Sequence, residues 1–124
     1  MFKPTVIAVT LVLLGSQITL AETWMPIAED ANKTVATSVD SESISRRGSI
    51  VSFWKRNNYS DEINGVVADR SYMSVNCRNG LYQFHRTVEF NSSGMQLSDR
   101  RLDSSIHTTV LGSVGEAVAE FVCQ

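Results

Sequence analysis

The chain has 124 residues, 43% of them hydrophobic, two cysteines and a formal net charge of −2 at pH 7. This size is enough for one hydrophobic core and too small for two domains of ordinary size. The mildly acidic balance argues against a nucleic-acid partner, and the scattered basic pairs are typical of solvated turn and strand-edge charges: Arg46-Arg47, Lys55-Arg56 and Arg100-Arg101.

Residues 1–21 have the pattern of a cleavable secretory signal. Lys3 supplies the positive charge, residues 6–14 form an apolar run, and a small residue precedes the cut. The run is shorter than the roughly 20 residues that span a bilayer, and the alternative, a buried N-terminal helix, would need an amphipathic stripe that is missing. We predict cleavage between Ala21 and Glu22, leaving one domain, 22–124, without stable membrane insertion. No cysteine lies near the cut, so no lipid anchor is expected.

The first half of this domain predicts two strands. Residues 22–33 are polar and rich in alanine, which predicts an irregular leader. The β-branched segment 34–39 predicts a strand, and 41–48 carries turn residues. Segment 50–56 has apolar residues on both faces, as in a deeply buried strand. The polar segment 57–69 predicts the longest loop.

Segments 71–77 and 81–90 predict a β-hairpin. In the first, Met73, Val75 and Cys77 alternate with polar residues and share a face. Asn79-Gly80 lies between the two segments and is a strong hairpin signal. Alternation in the second segment places four apolar side chains on one face, opposite His85: Tyr82, Phe84, Val88 and Phe90.

The end of the chain changes from strand to helical periodicity. Residues 95–103 predict a further strand, and Ser113 with Glu116 forms a capping box, in which each side chain bonds the other residue's backbone. Apolar residues at helical spacing follow it: Val114, Ala117, Val118, Phe121 and Val122. A short amphipathic helix is therefore predicted to run up to Cys123.

Cys77 and Cys123 are the two cysteines of the chain. In an oxidising compartment two thiols of a small exported domain are expected to pair. Closing this loop of about 47 residues contributes roughly 4 kcal/mol in the chain-entropy model. Because C-x-x-C and closely spaced further ligands are missing, the pair is predicted to be structural rather than a metal or redox site. It would join the helix to the inward row of the strand that ends at Cys77.

The candidate chemical groups do not specify a reaction. His85 and His107 lack spaced metal-ligand partners, and no Gly-x-Ser-x-Gly motif or phosphate loop occurs. We expect no catalytic, cofactor-binding or metal site. A hydrolase with either histidine beside Ser and Asp is the remaining enzymatic alternative. Trp24 and Tyr59 are candidate interface anchors; packing of Trp24 on the sheet and pinning of the loop by Tyr59 are the alternatives.

The order of these landmarks resembles the surface-adhesin protein E family of Gram-negative bacteria. The resemblance covers nearly all of 22–124 and rests on these features: Trp24, Val39-Asp40, Ser43-Ile44, Arg46-x-Gly48, the aromatic-ended strand 51–54, the strand closing on Cys77, the strand 82–90 followed by Gly94, and Gly112-Ser113 leading to Val122-Cys123.

This resemblance implies an α+β, mainly β fold, with an antiparallel sheet of about six strands and a C-terminal helix disulfide-bonded onto it. It also implies an adhesin that binds host vitronectin, laminin and plasminogen and that can dimerise. The family's characterised adhesin is anchored through a lipidated cysteine, and the lack of one near the predicted cut departs from that pattern.

We therefore predict an exported, non-catalytic binding domain in the periplasm, at the cell surface or secreted. Its partner is expected to be a protein, either a host matrix or serum protein or a protein of the bacterial envelope. The alternative is a periplasmic inhibitor or envelope-stress protein that presents the predicted loop 57–69 to an enzyme.

Overall fold

The computed structural model describes residues 22–103 and 105–124. This part of the chain forms a β-sheet with a helix packed on one face. The strands are Trp24–Glu29 (β1), Val35–Asp40 (β2), Ser45–Arg47 (β3), Ile50–Ile63 (β4), Val66–Asn76 (β5), Leu81–Phe90 (β6), Gln96–Arg101 (β7) and Ile106–Thr108 (β8), and the helix is Val114–Val122 (α1).

The strands pair antiparallel in the order β1-β2-β4-β5-β6-β7. A 3₁₀ turn, Ser41–Ser43, separates β2 from β3, and both strands pair with β4. In the same way β7 and β8 both pair with β6. The eight strands thus occupy six positions, which confirms the expected sheet of about six strands.

The core lies between α1 and one face of the sheet, called here the helix side. Alternate residues of the central strands point to this side because successive side chains of a strand face opposite ways. The buried cluster joins sheet and helix: Val39, Val51, Phe53, Met73 and Val75 from the strands, and Val118 and Val122 from α1. The opposite face of the sheet, called the open face, is not covered by α1.

Helix α1 has the predicted start and the predicted disulfide. The Ser113 Oγ accepts a hydrogen bond from the Glu116 backbone N at 3.2 Å. The Glu116 carboxylate instead accepts from the backbone N of Gly112 at 2.8 Å, one residue earlier than a capping box requires. Cys123 directly follows α1 and is bonded to Cys77 directly after β5, with 5.7 Å between the two Cα atoms. The predicted pairing is confirmed.

The prediction of an irregular leader over 22–33 is wrong, because strand β1 lies within it. Trp24 pairs with Asp40 and Pro26 with Ser38, and the register shifts between Pro26 and Ala28. Pro is compatible with β1 because this strand lies at the edge of the sheet. Its pairing partner lies outside the segment, so local sequence does not reveal the strand.

The prediction of a long loop over 57–69 is also wrong. Strand β4 continues to Ile63, β5 begins at Val66, and Asn64 and Gly65 make the turn with φ angles of 51° and 84°. Positive φ at both positions is the geometry of a two-residue type I′ hairpin, for which Asn-Gly is favoured. Residues 61–67 extend beyond the pairing of β4 with β2 and of β5 with β6, and we call them the hairpin arm.

A β-bulge at His85 overturns the predicted face of β6. Tyr72 pairs with Arg86 and Met73 with Phe84, so His85 is an extra residue in β6. One extra residue reverses the alternation. Tyr82 and Phe84 therefore lie on the helix side, whereas Val88 and Phe90 lie on the open face.

The remaining expectations divide into confirmed strands and missed ones. The Asn79-Gly80 turn joins β5 to β6, and β7 lies within the predicted strand 95–103. The short strands β3 and β8 were not predicted, because three residues carry too little alternation. The predicted signal peptide 1–21, including Ala21, lies outside the described residues, so its cleavage and the resulting domain limits stay predictions.

Candidate functional site

The open face carries a set of aromatic and arginine side chains, which we call the Arg–aromatic face: Trp24, Trp54, Tyr72, Phe90, Arg56, Arg70 and Arg86. Strand register brings them together from β1, β4, β5 and β6. Trp54 lies opposite Tyr72, and Arg56 lies opposite Arg70. Tyr72 is in turn opposite Arg86.

The arginines of this face stack on its aromatic rings. The Arg56 guanidinium carbon lies 4.5 Å from the centroid of the Trp24 ring. Arg70 lies 5.4 Å from the rings of both Trp24 and Phe90. These distances fall within the range of cation–π attraction, so rings and guanidinium groups hold one another in place.

Two acidic residues hold arginines at the margins of the face. Glu22 Oε2 lies 3.0 Å from Arg70 Nη1. Asp99 accepts two hydrogen bonds from Arg86, from Nε at 2.8 Å and from Nη2 at 2.6 Å. These bonds lower the pKa of the Asp99 carboxyl and raise that of the Arg86 guanidinium. Such a bidentate pair fixes the plane of the guanidinium group.

Arg56 is less well satisfied than its neighbours. Its Nε is buried and has no hydrogen-bond partner among the described residues. Burial lowers the pKa of its guanidinium, and the nearby charge of Arg70 lowers it further. A buried donor without an acceptor costs stability. Unsatisfied groups of this kind are typical of functional sites, where residues serve binding rather than folding.

Two adjoining clefts give the Arg–aromatic face a concave shape. One has a volume of about 300 Å³ and is lined by eight residues: Glu22, Trp24, Trp54, Arg70, Arg86, Val88, Phe90 and Gln96. The other has about 330 Å³ and is lined by Trp54, Tyr72, His85, Arg86 and Arg101. Rigid aromatic surface with multidentate donors is suited to holding a protein segment.

The two aromatic residues singled out in the sequence lie on different sides of the sheet. Trp24 packs on the sheet and at the same time belongs to the Arg–aromatic face. Tyr59 lies on the helix side of β4, where its hydroxyl donates a hydrogen bond to Asp69. The Tyr59 side chain therefore connects β4 to β5, in the segment that was predicted to be a loop.

The two histidines are also separated by the sheet. His85 Nε2 lies 2.9 Å from Ser74 Oγ, and Ser74 is 7% exposed. His107 stacks on Tyr82 of the helix side, with 5.3 Å between the ring centroids. The imidazoles thus do not combine in one site, and the Ser74 hydroxyl is poorly accessible to a substrate.

Within residues 22–103 and 105–124, no three His, Cys, Asp or Glu side chains come together as potential metal ligands. No helix in this described part is long and apolar enough to cross a membrane.

Trp54, Tyr72 and the arginines were not predicted from the sequence as members of one site. Arg56 was interpreted as part of a scattered basic pair, although Trp54-x-Arg56 and Arg70-x-Tyr72 each have the spacing that places two residues on one strand face. Recognising that the two segments pair would have required the hairpin turn at Asn64-Gly65.

Comparison with known proteins agrees with this fold. The family model of surface-adhesin protein E matches residues 24–124, whereas no curated protein sequence matches the chain. Crystal form II of Haemophilus influenzae protein E is similar, with 18% identity and a TM-score of 0.62, over 86% of this chain and 96% of that chain.

Protein E from non-typeable Haemophilus influenzae is similar as well, with 18% identity and a TM-score of 0.62, over 90% of this chain and 82% of that chain. At such low identity these structures show a shared fold. The family match spans all the strands, the helix and both cysteines. The chain therefore belongs to the surface-adhesin protein E family.

Proposed function

We propose that this protein is an exported, non-catalytic binding domain that holds a protein partner on its Arg–aromatic face. The observation that carries the proposal is the clustering of Trp24, Trp54 and Tyr72 with three arginines on the face that α1 leaves uncovered. Trp, Tyr and Arg are the residues most enriched among those that dominate binding energy at protein interfaces. The adhesin family also implies binding.

The charge of the face favours an acidic segment of the partner. Arg56, Arg70, Arg86 and the neighbouring Arg101 outnumber the carboxylates of Glu22 and Asp99 on this side. A domain that is acidic overall thus presents a locally basic surface. Complementary charge of this kind steers association and fixes the orientation of a partner.

Host matrix and serum proteins are the proposed partners, and the predicted signal peptide supports export. The Cys77–Cys123 bond fits an oxidising compartment. We propose release without a lipid anchor, to the periplasm, the cell surface or the medium. Cell fractionation distinguishes these destinations, and recovery exclusively from the periplasm would contradict the adhesin role while leaving a binding role intact.

Binding of the purified domain 22–124 to immobilised vitronectin, laminin and plasminogen tests the proposal. We expect binding to at least one, and a loss of about tenfold or more in affinity for Trp54→Ala and for Arg86→Ala. Arg78→Ala is the matched control, because Arg78 is exposed in the β5–β6 turn. Unchanged affinity in both face variants, with thermal unfolding like that of the wild type, would contradict the proposed surface.

A periplasmic inhibitor is the second candidate, and the hairpin arm favours it. The arm projects past the neighbouring strands, and Ile63 near its tip is 54% exposed. Replacing 61–67 by Asn-Gly leaves a four-residue connection between the paired residues Asn58 and Ala68, so the rest of the sheet is expected to stay unchanged. If this role is correct, the shortened protein should lose a partner that the full domain captures from periplasmic extract, while its vitronectin binding stays the same.

A further inference from the structure

A separate cavity lies on the helix side, between the sheet and the first half of α1. Its volume is about 330 Å³. Its walls are mainly apolar, and the apolar residues come from β2, β5, β6 and the helix: Val35, Met73, Val75, Phe84, Val114 and Val118. This size and lining are typical of small-molecule sites, which combine apolar walls with a few well-placed polar groups.

Lys55 supplies the positive charge of this cavity. It is the sole basic residue among the described residues that line it, and its Nζ lies 5.0 Å from the centroid of the Phe84 ring. No carboxylate of the described chain lies within 4 Å of Nζ. The nearest influential charge is Asp69, whose oxygens already accept hydrogen bonds from the Tyr59 hydroxyl and from Asn57 Nδ2.

Burial lowers the pKa of the Lys55 ammonium, and the attraction of Asp69 only partly opposes this. An ammonium group removed from water without an ion-pair partner is costly, and a ligand carboxylate beside it would offset that cost. The Phe84 ring compensates in part, because its face attracts a cation.

Asp30 is the other charged residue of the lining, and it lies at the solvent-exposed edge. Its carboxylate accepts hydrogen bonds from the Thr34 hydroxyl, from the backbone N of Val35 at 3.1 Å and from the backbone N of Thr34 at 2.6 Å. These bonds commit Asp30 to the turn between β1 and β2 and lower the pKa of its carboxyl, so it stays ionised. An anionic ligand would therefore turn its charged end away from this edge and toward Lys55.

We propose that the cavity binds a small organic carboxylate with an apolar body, such as a medium-chain fatty acid, whose carboxylate pairs with Lys55 Nζ. The apolar body lies against Val114 and Val118 of α1. The site is on the opposite side of the sheet from the Arg–aromatic face, so it is independent of the proposed partner surface.

Titration of the domain 22–124 with sodium octanoate, followed by amide chemical shifts, tests this site. We expect saturable shifts in the first half of α1 and around Phe84. Octanol and octyltrimethylammonium are the charge controls and should bind at least about tenfold more weakly. Lys55→Met should weaken octanoate binding by a similar factor, whereas Lys33→Met, the same change at an exposed lysine, should leave it unaltered.

Lys55→Met replaces a buried ammonium by an apolar side chain of similar length, so the variant is expected to fold. Val114→Phe provides a second variant that fills part of the cavity and should also reduce binding. Octanoate affinity unchanged by Lys55→Met, equal affinity for octanol, or shifts confined to the open face would each overturn the proposal.

Discussion

The guanidinium group of Arg56 lies over the indole ring of Trp24, 4.5 Å from its centroid, and so links the edge strand β1 to the central strand β4. The two residues are 32 positions apart in the sequence. Considered separately, Trp24 is explained by packing on the sheet and Arg56 by the solvated basic pair Lys55-Arg56. Their contact shows that the aromatic and arginine side chains of the open face pack on one another. Arg70 reaches the same ring from β5.

Arg56→Met separates folding from binding at this position. The methionine stem keeps its packing on Trp24 while the unpartnered Nε is removed, so we expect the free energy of unfolding to stay within about 0.5 kcal/mol or to rise. Binding of the acidic partner should weaken. Urea unfolding and surface-immobilised binding measure the two effects, and Arg78→Met is the control. A large loss of stability would show that Arg56 serves the fold.

Replacing both Cys77 and Cys123 by Ser is expected to lower the free energy of unfolding by roughly 4 kcal/mol. The bond closes a loop between residues 46 positions apart and holds the end of a nine-residue helix that would be marginal alone. Urea unfolding with fluorescence detection measures the loss. Wild-type protein under a strong reductant should show the same loss, and a difference between the two would mean that the serines themselves perturb the structure.

Gly65→Ala is expected to lower the free energy of unfolding by about 1 kcal/mol, because Gly65 has φ of 84° in the hairpin arm. A Cβ there meets no atom within 4 Å, so the cost is one of backbone conformation and not of space. Gly115→Ala is the matched control: Gly115 lies in α1, where alanine favours the helix by about 0.5–1 kcal/mol. Thermal unfolding should move in opposite directions for the two variants.

Tyr59→Phe is expected to make the free energy of unfolding less dependent on pH in the alkaline range. Burial first, and the hydrogen bond to Asp69 second, raise the pKa of the Tyr59 hydroxyl above its ordinary value. Because the pKa of Tyr59 is higher in the folded than in the unfolded state, the contribution of Tyr59 to the free energy of unfolding is fully present below about pH 10. This contribution is lost as the pH rises above that value.

Urea unfolding of the wild type and of Tyr59→Phe at pH 8 and pH 11 measures this effect. At pH 8 the variant should be less stable by about 1 kcal/mol, since Asp69 loses a donor. The difference should shrink at pH 11. A constant difference between the two pH values would exclude Tyr59 as a contributor to the alkaline loss.

Local patterns were sufficient where a segment's structure depends on its own residues. The cap at Ser113 and the apolar stripe behind it predict α1, and the alternation of 81–90 predicts β6 with the bounds that the structure has. The faces of β6 could not be predicted, because the extra residue at His85 is accommodated by its pairing with β5. Nothing in the local alternation marks that position.

The candidate site was less predictable than the fold for a related reason. Trp24 was recognised as a possible anchor, but its companions come from three other strands and meet through register alone. The polar composition of 57–69 hid the continuation of β4 and β5, and with it the pairing of Arg56 with Arg70.

By itself, the sequence determined an exported-type N-terminal pattern, the hairpin of β5 and β6 and the capped helix, because each depends on local residues. The pairing of Cys77 with Cys123 followed because the chain has two cysteines, and the mainly antiparallel fold was implied by the family resemblance. Tertiary structure alone decided that β1 is an edge strand, that Val88 and Phe90 lie on the open face, and that the arginines form one surface. Those features arise from strand pairing over long separations, where a one-residue bulge exchanges the two faces of a strand.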